Sequence, residues 1–460
     1  MRKGIMMALV ALMISAQLFA EEVVVKTSGN GTTWTISKLA ATENSGVSKN
    51  GTTYTMENTV VVAEGDRFEM EGGITVKLAA GVSLEIEGEA MMAPEERSTF
   101  TRVDDWIPGV VYLKGGNNVI SIENIDFEYV GLRYYATKGL NVNDCSFSFV
   151  GNNTALNIGG TGAVFTITNS IFENNGRAAI AGAANYSNPI TIDNCEFYYN
   201  GSENRNIPQL NLTSSSSIII RNSKVIGNRA NTRVGGIMVA DLVGVASNAN
   251  TLVENCEVRD NRYGISLYTN QTAIVRHNIL IDNNTETNPM NGGSGINVYD
   301  PTLKQNTMIT GNYIEGSLWG VSIIGGSKVN CGRIDVPETD EDYNPGGNTF
   351  YNNGCYNTIY DLYNNSANTV YAQNNYWKTA TAQTTEAIEN CISHKTDDET
   401  LGEVIFSPFA TKDMTAIEEA KTTTQQAEAI YSLSGIKLSA LQKGINIVNM
   451  GNKTIKVIGK

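Results

Sequence analysis

The sequence predicts an all-β chain wound as a solenoid, and three observations lead to this prediction. Short apolar segments with alternating polarity recur through the middle of the 460 residues, at a fixed register but with variable spacing. No long series of apolar residues follows the i, i+3, i+4 spacing of an amphipathic helix. The chain holds 44 Gly and only 9 Pro, so its turns are made mainly with residues that tolerate positive φ.

The first twenty residues, MRKGIMMALVALMISAQLFA, join a basic start to an apolar stretch that ends at Ala20. This arrangement predicts a cleaved secretory signal peptide over residues 1–20. The apolar run is shorter than the roughly 20 residues that a membrane span needs, which disfavours an uncleaved anchor. We therefore expect a mature chain that is exported through the periplasm, is secreted or held on the outer cell surface, and does not span the membrane.

Residues 21–105 are rich in strand-like runs, among them VVVAEGDRF, GITVKLAAG and VSLEIEGEAMM. We expect them to form an N-terminal β-rich cap and the first coils of the solenoid.

A repeat occupies residues 106–380. Its copies include ISIENIDF, LNVNDCSF, FTITNSIF, ITIDNCEF, IIIRNSKV, TLVENCEV, AIVRHNIL and TMITGNYI, each made of a strand, a polar pair and a second strand. A third strand type lies between the copies, in TALNIGG, QLNLTS, GGIMVAD, YGISLYT, SGINVYD and WGVSIIG. Three short strands per repeat, joined by Gly- and Asn-rich turns, are typical of a solenoid.

This pattern resembles the right-handed parallel β-helix family of the pectate-lyase-like superfamily, whose coils wind three parallel sheets around a dry core. The resemblance implies about ten single-stranded coils, each of which needs its neighbours to bury its apolar face. The stretch from Thr75 to Asp105 is similar to the opening of secreted Bacteroidetes-type β-helix proteins, in which a Gly-rich turn precedes a Trp, here Trp106. The fold hosts many activities, so the resemblance leaves the function open.

Cysteine and serine alternate in one column of the repeat. The column reads Cys145, Ser170, Cys195, Ser223 and Cys256. Neighbouring Cys are two coils apart, about 10 Å at the usual strand spacing, which is too far for a disulfide. We expect small buried thiols here. Cys331 and Cys355 flank an irregular insertion, and whether they pair stays open.

Asparagine recurs on either side of this column. One residue before it stand Asn124, Asn169, Asn194, Asn222, Asn255 and Asn374. Five residues after it stand Asn175, Asn200, Asn228, Asn261, Asn283 and Asn353. Amides stacked at a turn can hydrogen-bond along the solenoid and accept left-handed backbone angles. The pattern predicts asparagine ladders. His277 stands where other coils have Asn, so we expect a turn residue rather than a catalytic one.

The chain ends in two further segments. Residues 381–415 are polar and irregular and are expected to form a cap or linker, whereas residues 416–460 read as three strands of a small antiparallel module. This module resembles the C-terminal sorting domain of proteins exported by the type IX system of Bacteroidetes. The matching residues are Tyr431, Leu433, Gly435, Lys443, Gly444, Ile445, Val448 and Lys460. Asn446 replaces the usual aromatic residue, and a β-module without a sorting role is the alternative.

The third strand type predicts a solvent-facing sheet on which to look for function. Its expected outward residues are Asn157, Asn211, Met238, Ser266, Asn297 and Ser322, with Tyr268, Tyr299 and Tyr363 one alternation further on. Tyr268 and Tyr299 fall on adjacent coils, so we expect their rings to stack into a flat platform for sugar faces, with Ser266 and Asn297 beside them. Ordinary surface tyrosines are the alternative. We expect no Arg, Lys or His on this face.

Catalytic residues are not evident. Asp241 and Asp300 follow strands two coils apart, near 10 Å, and inverting glycosidases separate two carboxylates by roughly 6.5–9.5 Å. Asp300 precedes Pro301, which also fits a simple turn. A lyase-like set of calcium-binding acids with a basic residue is missing, as is a polygalacturonase-like Asp cluster with Gly-His-Gly. We expect no metal site and no cofactor.

The formal charge of −14 repels phosphate backbones and disfavours nucleic acid as a partner. The sequence therefore favours a monomeric secreted or cell-surface β-helix protein that binds a polysaccharide along its outer sheet. If it also processes that polysaccharide, we expect a polysaccharide lyase or a glycoside hydrolase. The alternative is a non-catalytic adhesin or structural surface protein.

Overall fold

A computed structural model describes most of the chain between residues 23 and 459. The described ranges are 23–104, 109–159, 163–182, 188–213, 217–240, 250–268, 272–300, 306–415, 417–419, 429–432, 437–442, 444–449 and 454–459. The expected signal peptide, Trp106 and Asp241 lie outside these ranges.

Three long parallel sheets form the body of the molecule, and the chain visits them in rotation. Each strand pairs with the strand one coil later instead of with its neighbour in sequence, as Ile190 pairs with Ile218. The all-β parallel β-helix expected from the repeat is thereby confirmed. The sheets hold 11 to 14 strands, against about ten coils expected, because strands before and after the clear repeat join the same sheets.

Sheet 1 has 14 strands and contains the third strand type of the repeat, with the face that carries Ser266, Asn297 and Ser322. Its strands are Val24–Lys26, Thr59–Val62, Ser83–Ile86, Val110–Leu113, Gly131–Tyr134, Leu156–Ile158, Ile180–Gly182, Leu210–Thr213, Ile237–Ala240, Ile265–Tyr268, Ser294–Asp300, Trp319–Gly325, Leu362–Ser366 and Ile392–Ser393.

Sheet 2 also has 14 strands and is parallel after its first antiparallel pair. Its strands are Val47–Asn50, Thr53–Met56, Thr75–Leu78, Ser98–Arg102, Ile125–Glu128, Ser146–Ser148, Ile171–Glu173, Glu196–Tyr198, Lys224–Ile226, Glu257–Arg259, Ile279–Ile281, Tyr313–Glu315, Thr349–Tyr351 and Tyr376–Trp377.

Sheet 3 has 11 strands. They are Ile120–Glu123, Gly139–Asn143, Val164–Thr168, Ile190–Asp193, Ile218–Arg221, Asn250–Glu254, Thr272–Arg276, Asn306–Thr310, Lys328–Gly332, Val370–Ala372 and Val404–Ile405. Smaller elements complete the helix. They are the three-stranded sheet Thr33–Trp34, Arg67–Glu69 and Glu89–Met91, the hairpin Gly354–Cys355 and Thr358–Ile359, and the helices Ile36–Ala40 and Thr385–Glu389.

The core is one continuous column of inward side chains. Its largest feature is a file of stacked rings, one per coil, with centroids 4.7–5.6 Å apart. The file comprises Phe100, Phe127, Phe147, Phe172 and Phe197. Coils in a parallel sheet repeat at about 4.8 Å, so equivalent positions meet face to face and exclude water from the interior.

The column of Cys and Ser is buried, as predicted, and continues as an amide ladder. The backbone N–H of Cys195 donates to Ser223 Oγ at 3.1 Å, and that of Cys256 donates to Asn278 Oδ1 at 2.9 Å. From there Asn278, Asn312, Asn348 and Asn375 are joined by side-chain bonds of 2.9–3.0 Å. All six Cys are free thiols, including Cys331 and Cys355, and burial raises the pKa of Cys195 to about 12.

A second buried ladder follows the positions five residues further on, with one correction. Asn175 donates to Asn200, Asn200 to Gln209, Gln209 to Asn261 and Asn261 to Asn283, over 2.7–3.2 Å. Gln209 stands where Asn228 was expected, and Asn228 is exposed. The longer side chain of Gln209 reaches the ladder from the loop that follows Asn200. Asn228, on the next coil, instead accepts a hydrogen bond from the backbone N–H of Ala230 in its own turn.

The positions one residue before the column have left-handed backbone angles. The φ values of Asn124, Asn169, Asn194, Asn222, Asn255 and Asn374 lie between 51° and 56°. His277, with φ 55°, occupies the same turn, as expected. Asn tolerates this region better than most L residues because its short side chain bonds locally.

The C-terminal strands form a separate five-stranded sheet in the order Ile417–Glu419, Thr454–Gly459, Gly444–Asn449, Ala429–Ser432 and Lys437–Leu438. Its first pair is parallel and the others are antiparallel. Asn446 is buried and closes a turn, since its amide accepts from Gln442 N and donates to Gln442 O.

The second ladder gives a direct stability prediction. Asn200 bonds the side-chain amide of Asn175 at 2.7 Å and the carbonyl oxygen of Phe172 at 2.9 Å. Asn200→Ala leaves both of these groups without that partner. We expect a loss of about 1–3 kcal/mol for each stranded partner. The exposed Asn228→Ala is the control and should stay within about 0.5 kcal/mol of the parent. Equal melting temperatures for the two variants would show that the ladder contributes nothing.

Candidate functional site

The register of sheet 1 assembles one row of outward side chains. Asn211, Met238, Ser266, Asn297, Ser322 and Tyr363 occupy equivalent positions on successive coils. Tyr363 was expected in the row of Tyr268 and Tyr299, but it pairs with Ser322. The insertion between Ser322 and Tyr363 interrupts the repeat, so counting along the sequence does not show which row Tyr363 belongs to. The backbone pairing with Ser322 assigns it to the row of Asn297.

Tyr268 and Tyr299 form the expected stack. Their ring centroids are 5.0 Å apart with planes at 21°, and both side chains are partly exposed. Each ring lies at the end of its strand, two residues beyond Ser266 and Asn297 respectively. The pair therefore offers a flat apolar surface directly beside polar groups.

Those polar groups are held by one another. Asn297 Nδ2 donates to Ser266 Oγ at 3.1 Å, and Ser322 Oγ donates to Asn297 Oδ1 at 3.0 Å. Ser294 Oγ lies 2.8 Å from Ser322 Oγ. Side chains bonded across coils cannot rotate freely. Ser266 and Ser322 are only 8% and 3% exposed, whereas Asn297 is partly exposed, so Asn297 is the member of this row that is most open to a ligand.

A second aromatic group borders the same row, and sequence reasoning missed it. Trp319 stacks on Tyr363 at 4.8 Å and 21° and lies 4.6 Å from Tyr360. Its indole Nε1 donates to Pro289 O at 3.1 Å, which fixes the ring. The available signal is the Trp that opens WGVSIIG, directly before the Gly of that strand type. We call Ser266, Tyr268, Asn297, Tyr299, Trp319, Ser322, Tyr360 and Tyr363 the sheet-1 platform.

Asp300 does not belong to this platform. Along strand Ser294–Asp300 it alternates with the buried Ile296 and Val298, and it is itself fully buried. Its carboxylate therefore faces inward, and Asp241 lies outside the described residues.

A different carboxyl group lies under the platform. Asp361, next to Tyr360, is fully buried, and its Oδ1 accepts from Asn353 Nδ2 at 2.8 Å and Thr379 Oγ1 at 3.1 Å. Burial raises its pKa to about 7, and the hydrogen bonds to the carboxylate oppose that shift. Among the described residues Oδ2 has no hydrogen-bond partner. The carboxyl of Asp361 is therefore about half protonated at pH 7.

Sheet 1 does carry an arginine on its outer face, which corrects the expectation that it has no basic residue. Arg133 is paired with Asn157, and its side chain is almost completely buried. Nη1 donates to the carbonyl oxygens of Leu132 and Thr154, while Nη2 has no hydrogen-bond partner among the residues that the structure describes. Burial lowers the pKa of its guanidinium. The segment GLRY lacks the GI pattern, so sequence reasoning did not assign it to this sheet.

Within the described ranges, no group of three or more His, Cys, Asp or Glu side chains is placed to hold a metal ion. Among the same residues, no helix has the length and apolar character of a membrane span.

Comparisons with known proteins agree with the geometry. A family model described as the right-handed β-helix region matches residues 109–280 and 191–333. The winding of the three sheets is thus that of a right-handed parallel β-helix.

Several solved structures are similar to this chain at low sequence identity. The periplasmic alginate epimerase AlgG is 12% identical over 81% of this chain and 83% of that chain, with a TM-score of 0.46. The A-module of the Azotobacter vinelandii mannuronan C-5 epimerase AlgE6 is 12% identical over 78% and 88%, with a TM-score of 0.34. Pectate lyase Pel9A is 13% identical over 84% of each chain, with a TM-score of 0.28. At such identities the similarity concerns the fold alone. A comparison with curated proteins finds no match.

The buried Asp361 predicts a pH-dependent stability. The pKa of Asp361 is about 7 in the folded protein against 3.8 for an ordinary aspartate, so its contribution to the free energy of unfolding is full below about pH 4 and is lost as the pH rises to about 7. We expect the melting temperature to fall more between pH 5 and pH 8 in the parent than in Asp361→Asn, which cannot ionise. The half-exposed Asp335→Asn is the control and should keep the parental pH dependence. Parallel pH profiles of the parent and Asp361→Asn would refute the assignment.

Proposed function

We propose that this protein binds a polysaccharide along the sheet-1 platform, outside the cytoplasm. One observation carries the proposal. A hydrogen-bonded polar row on consecutive coils is bordered by the Tyr268–Tyr299 stack and by Trp319, which packs on Tyr360 and Tyr363. Aromatic faces bury the apolar C–H faces of sugars, while Ser and Asn exchange hydrogen bonds with hydroxyl groups.

The geometry suits an extended chain better than a single small molecule. Equivalent groups repeat at about 4.8 Å along the solenoid, so a ligand that crosses several coils meets one set of contacts after another. Ser266, Asn297 and Ser322 are held by one another, so they lose little conformational freedom when they bind. A repeated ligand therefore gains affinity from several modest contacts.

The aromatic stack is the feature to remove first. Tyr268→Ala with Tyr299→Ala should weaken polysaccharide binding about tenfold or more, since buried aromatic anchors dominate most interfaces. Affinity electrophoresis in gels that contain neutral or acidic polysaccharides measures the change. Tyr356→Ala is the matched control, because this tyrosine is 77% exposed on the hairpin Gly354–Cys355 and Thr358–Ile359 and is not part of the Tyr268–Tyr299 stack. Unchanged retention of the double variant in every gel would count against the platform.

Cleavage of the bound chain is a separate question. If the protein is an enzyme, we propose a polysaccharide lyase or a glycoside hydrolase. The inward burial of Asp300 favours the second candidate, a non-catalytic adhesin or structural surface protein, since it removes that carboxylate from the platform. New ultraviolet-absorbing unsaturated products would identify a lyase, new reducing ends alone would identify a hydrolase, and neither product would favour the adhesin.

We further propose the domain organisation expected from the sequence: a signal peptide at 1–20, cap and first coils at 21–105, the main helix at 106–380, a cap or linker at 381–415 and a sorting-like module at 416–460. The module is proposed to direct export to the outer surface by the type IX route of Bacteroidetes. Its support is the resemblance of the segments around Tyr431 and Gly444.

The export role has its own test. A chain that lacks residues 416–460 should fold but remain in the periplasm, because the helix does not need the module for its sheets. Protease accessibility on intact cells, with the full chain as the control, measures surface display. If the shortened chain is displayed at the parental level, residues 416–460 are not needed for export to the surface.

A further inference from the structure

A second exposed aromatic surface lies on the turn that follows the strands of sheet 2. One residue of this turn has a left-handed backbone angle in coil after coil. The column comprises Tyr129, Phe149, Asn174, Tyr199, Asp260, Asp282, Gly316 and Asn352, with φ between 53° and 70°. Asn, Asp and Gly are the residues that usually accept such angles.

Three members break that preference. Tyr129, Phe149 and Tyr199 have φ of 62°, 58° and 57°, which is costly for a bulky side chain. Backbone bonds to the next coil hold them there, such as Tyr129 N to Ser148 O at 2.8 Å and Tyr199 N to Ile226 O at 2.9 Å. The strain does not serve burial, because Phe149 and Tyr199 are 42% and 44% exposed.

Two of the three rings stack on each other, and the third follows two coils later in the same column. The Arg102 guanidinium lies 3.7 Å from the Tyr129 ring centroid, and Tyr129 stacks on Phe149 at 5.4 Å and 25°. Asn174 occupies the next coil, and Tyr199 follows one coil later, about 10 Å beyond Phe149 by the strand spacing. We call Arg102, Tyr129, Phe149, Asn174 and Tyr199 the turn strip.

We propose that the turn strip is a second glycan-binding surface and that it takes a neutral polysaccharide. Flat, exposed rings in line along the axis match the apolar faces of successive sugar units, and the Asn174 amide between them can bond hydroxyl groups. Charge selects the class of glycan. Glu128 and Glu173 directly precede Tyr129 and Asn174, and both are partly exposed. Arg102 supplies one positive charge, but its guanidinium lies against the Tyr129 ring at the end of the strip, so the two carboxylates beside the strip repel a chain of acidic sugars.

This surface is distinct from the sheet-1 platform. It lies on the turn after sheet 2 and on earlier coils, and it shares no residue with the platform. Two separated surfaces on one rigid solenoid can engage one long chain or two different chains, and simultaneous engagement strengthens attachment by effective concentration. A protein built this way holds a polysaccharide at two points along its length.

The backbone strain supplies a test that separates binding from folding. In the full chain, Tyr129→Asn, Phe149→Asn and Tyr199→Asn introduce the residue that this turn prefers, so the melting temperature should stay the same or rise. Binding to neutral polysaccharides, measured by affinity electrophoresis, should weaken about tenfold. The matched control is Tyr356→Asn, which replaces an exposed tyrosine with φ 52° outside the strip and should leave binding unchanged.

Each outcome decides the proposal. Loss of neutral-glycan binding with a retained melting temperature supports it, including when the Tyr268→Ala, Tyr299→Ala variant still binds normally. Unchanged binding by the triple Asn variant overturns it, whatever the platform variant does. Selective loss of acidic-glycan binding also overturns it. Sedimentation measures self-association of the parent and of the triple variant. If the parent self-associates and the triple variant does not, while glycan binding is intact, the strip mediates contacts between copies of the chain instead.

Discussion

Hydrogen bonding between successive coils is the interaction on which the rest of the structure depends. No coil can bury its own apolar residues, so each relies on the next for both its backbone bonds and its core contacts. The amide ladders extend this bonding through the turns, where the strand pairing stops. Asn175, Asn200 and Gln209 bond one another and the carbonyl oxygens of neighbouring coils. The buried amides of this ladder are thereby given hydrogen-bond partners within the protein.

The same stacking creates the surfaces that we assign to ligand binding. Equivalent positions on neighbouring coils lie close together, so a single outward Tyr or Ser becomes one of a row. The sheet-1 platform and the turn strip both arise in this way, one from strand positions and the other from turn positions. A regular row suits a ligand that is itself a repeated chain, which is why the fold and the proposed polysaccharide ligand fit together.

The sequence predicted the elements that repeat and missed those that depart from the repeat. Copies such as ITIDNCEF contain their strands, their left-handed Asn194 and their buried Cys195 within a few residues, so local pattern was sufficient. Gln209 was missed because its place depends on the length of one loop, and Tyr363 was misplaced because an insertion interrupts the count. Residue preference does not indicate the left-handed turn at Tyr199, because Asn is the usual choice at such an angle.

The central claim is that the sheet-1 platform holds a polysaccharide. A crystal structure of the full protein soaked with an oligosaccharide of the tightest-binding polysaccharide tests it most directly. We expect a sugar ring against the faces of Tyr268 and Tyr299, with hydroxyl groups bonded to Ser266 or Asn297. An ordered oligosaccharide bound elsewhere on the protein, with these rings uncovered, would contradict it.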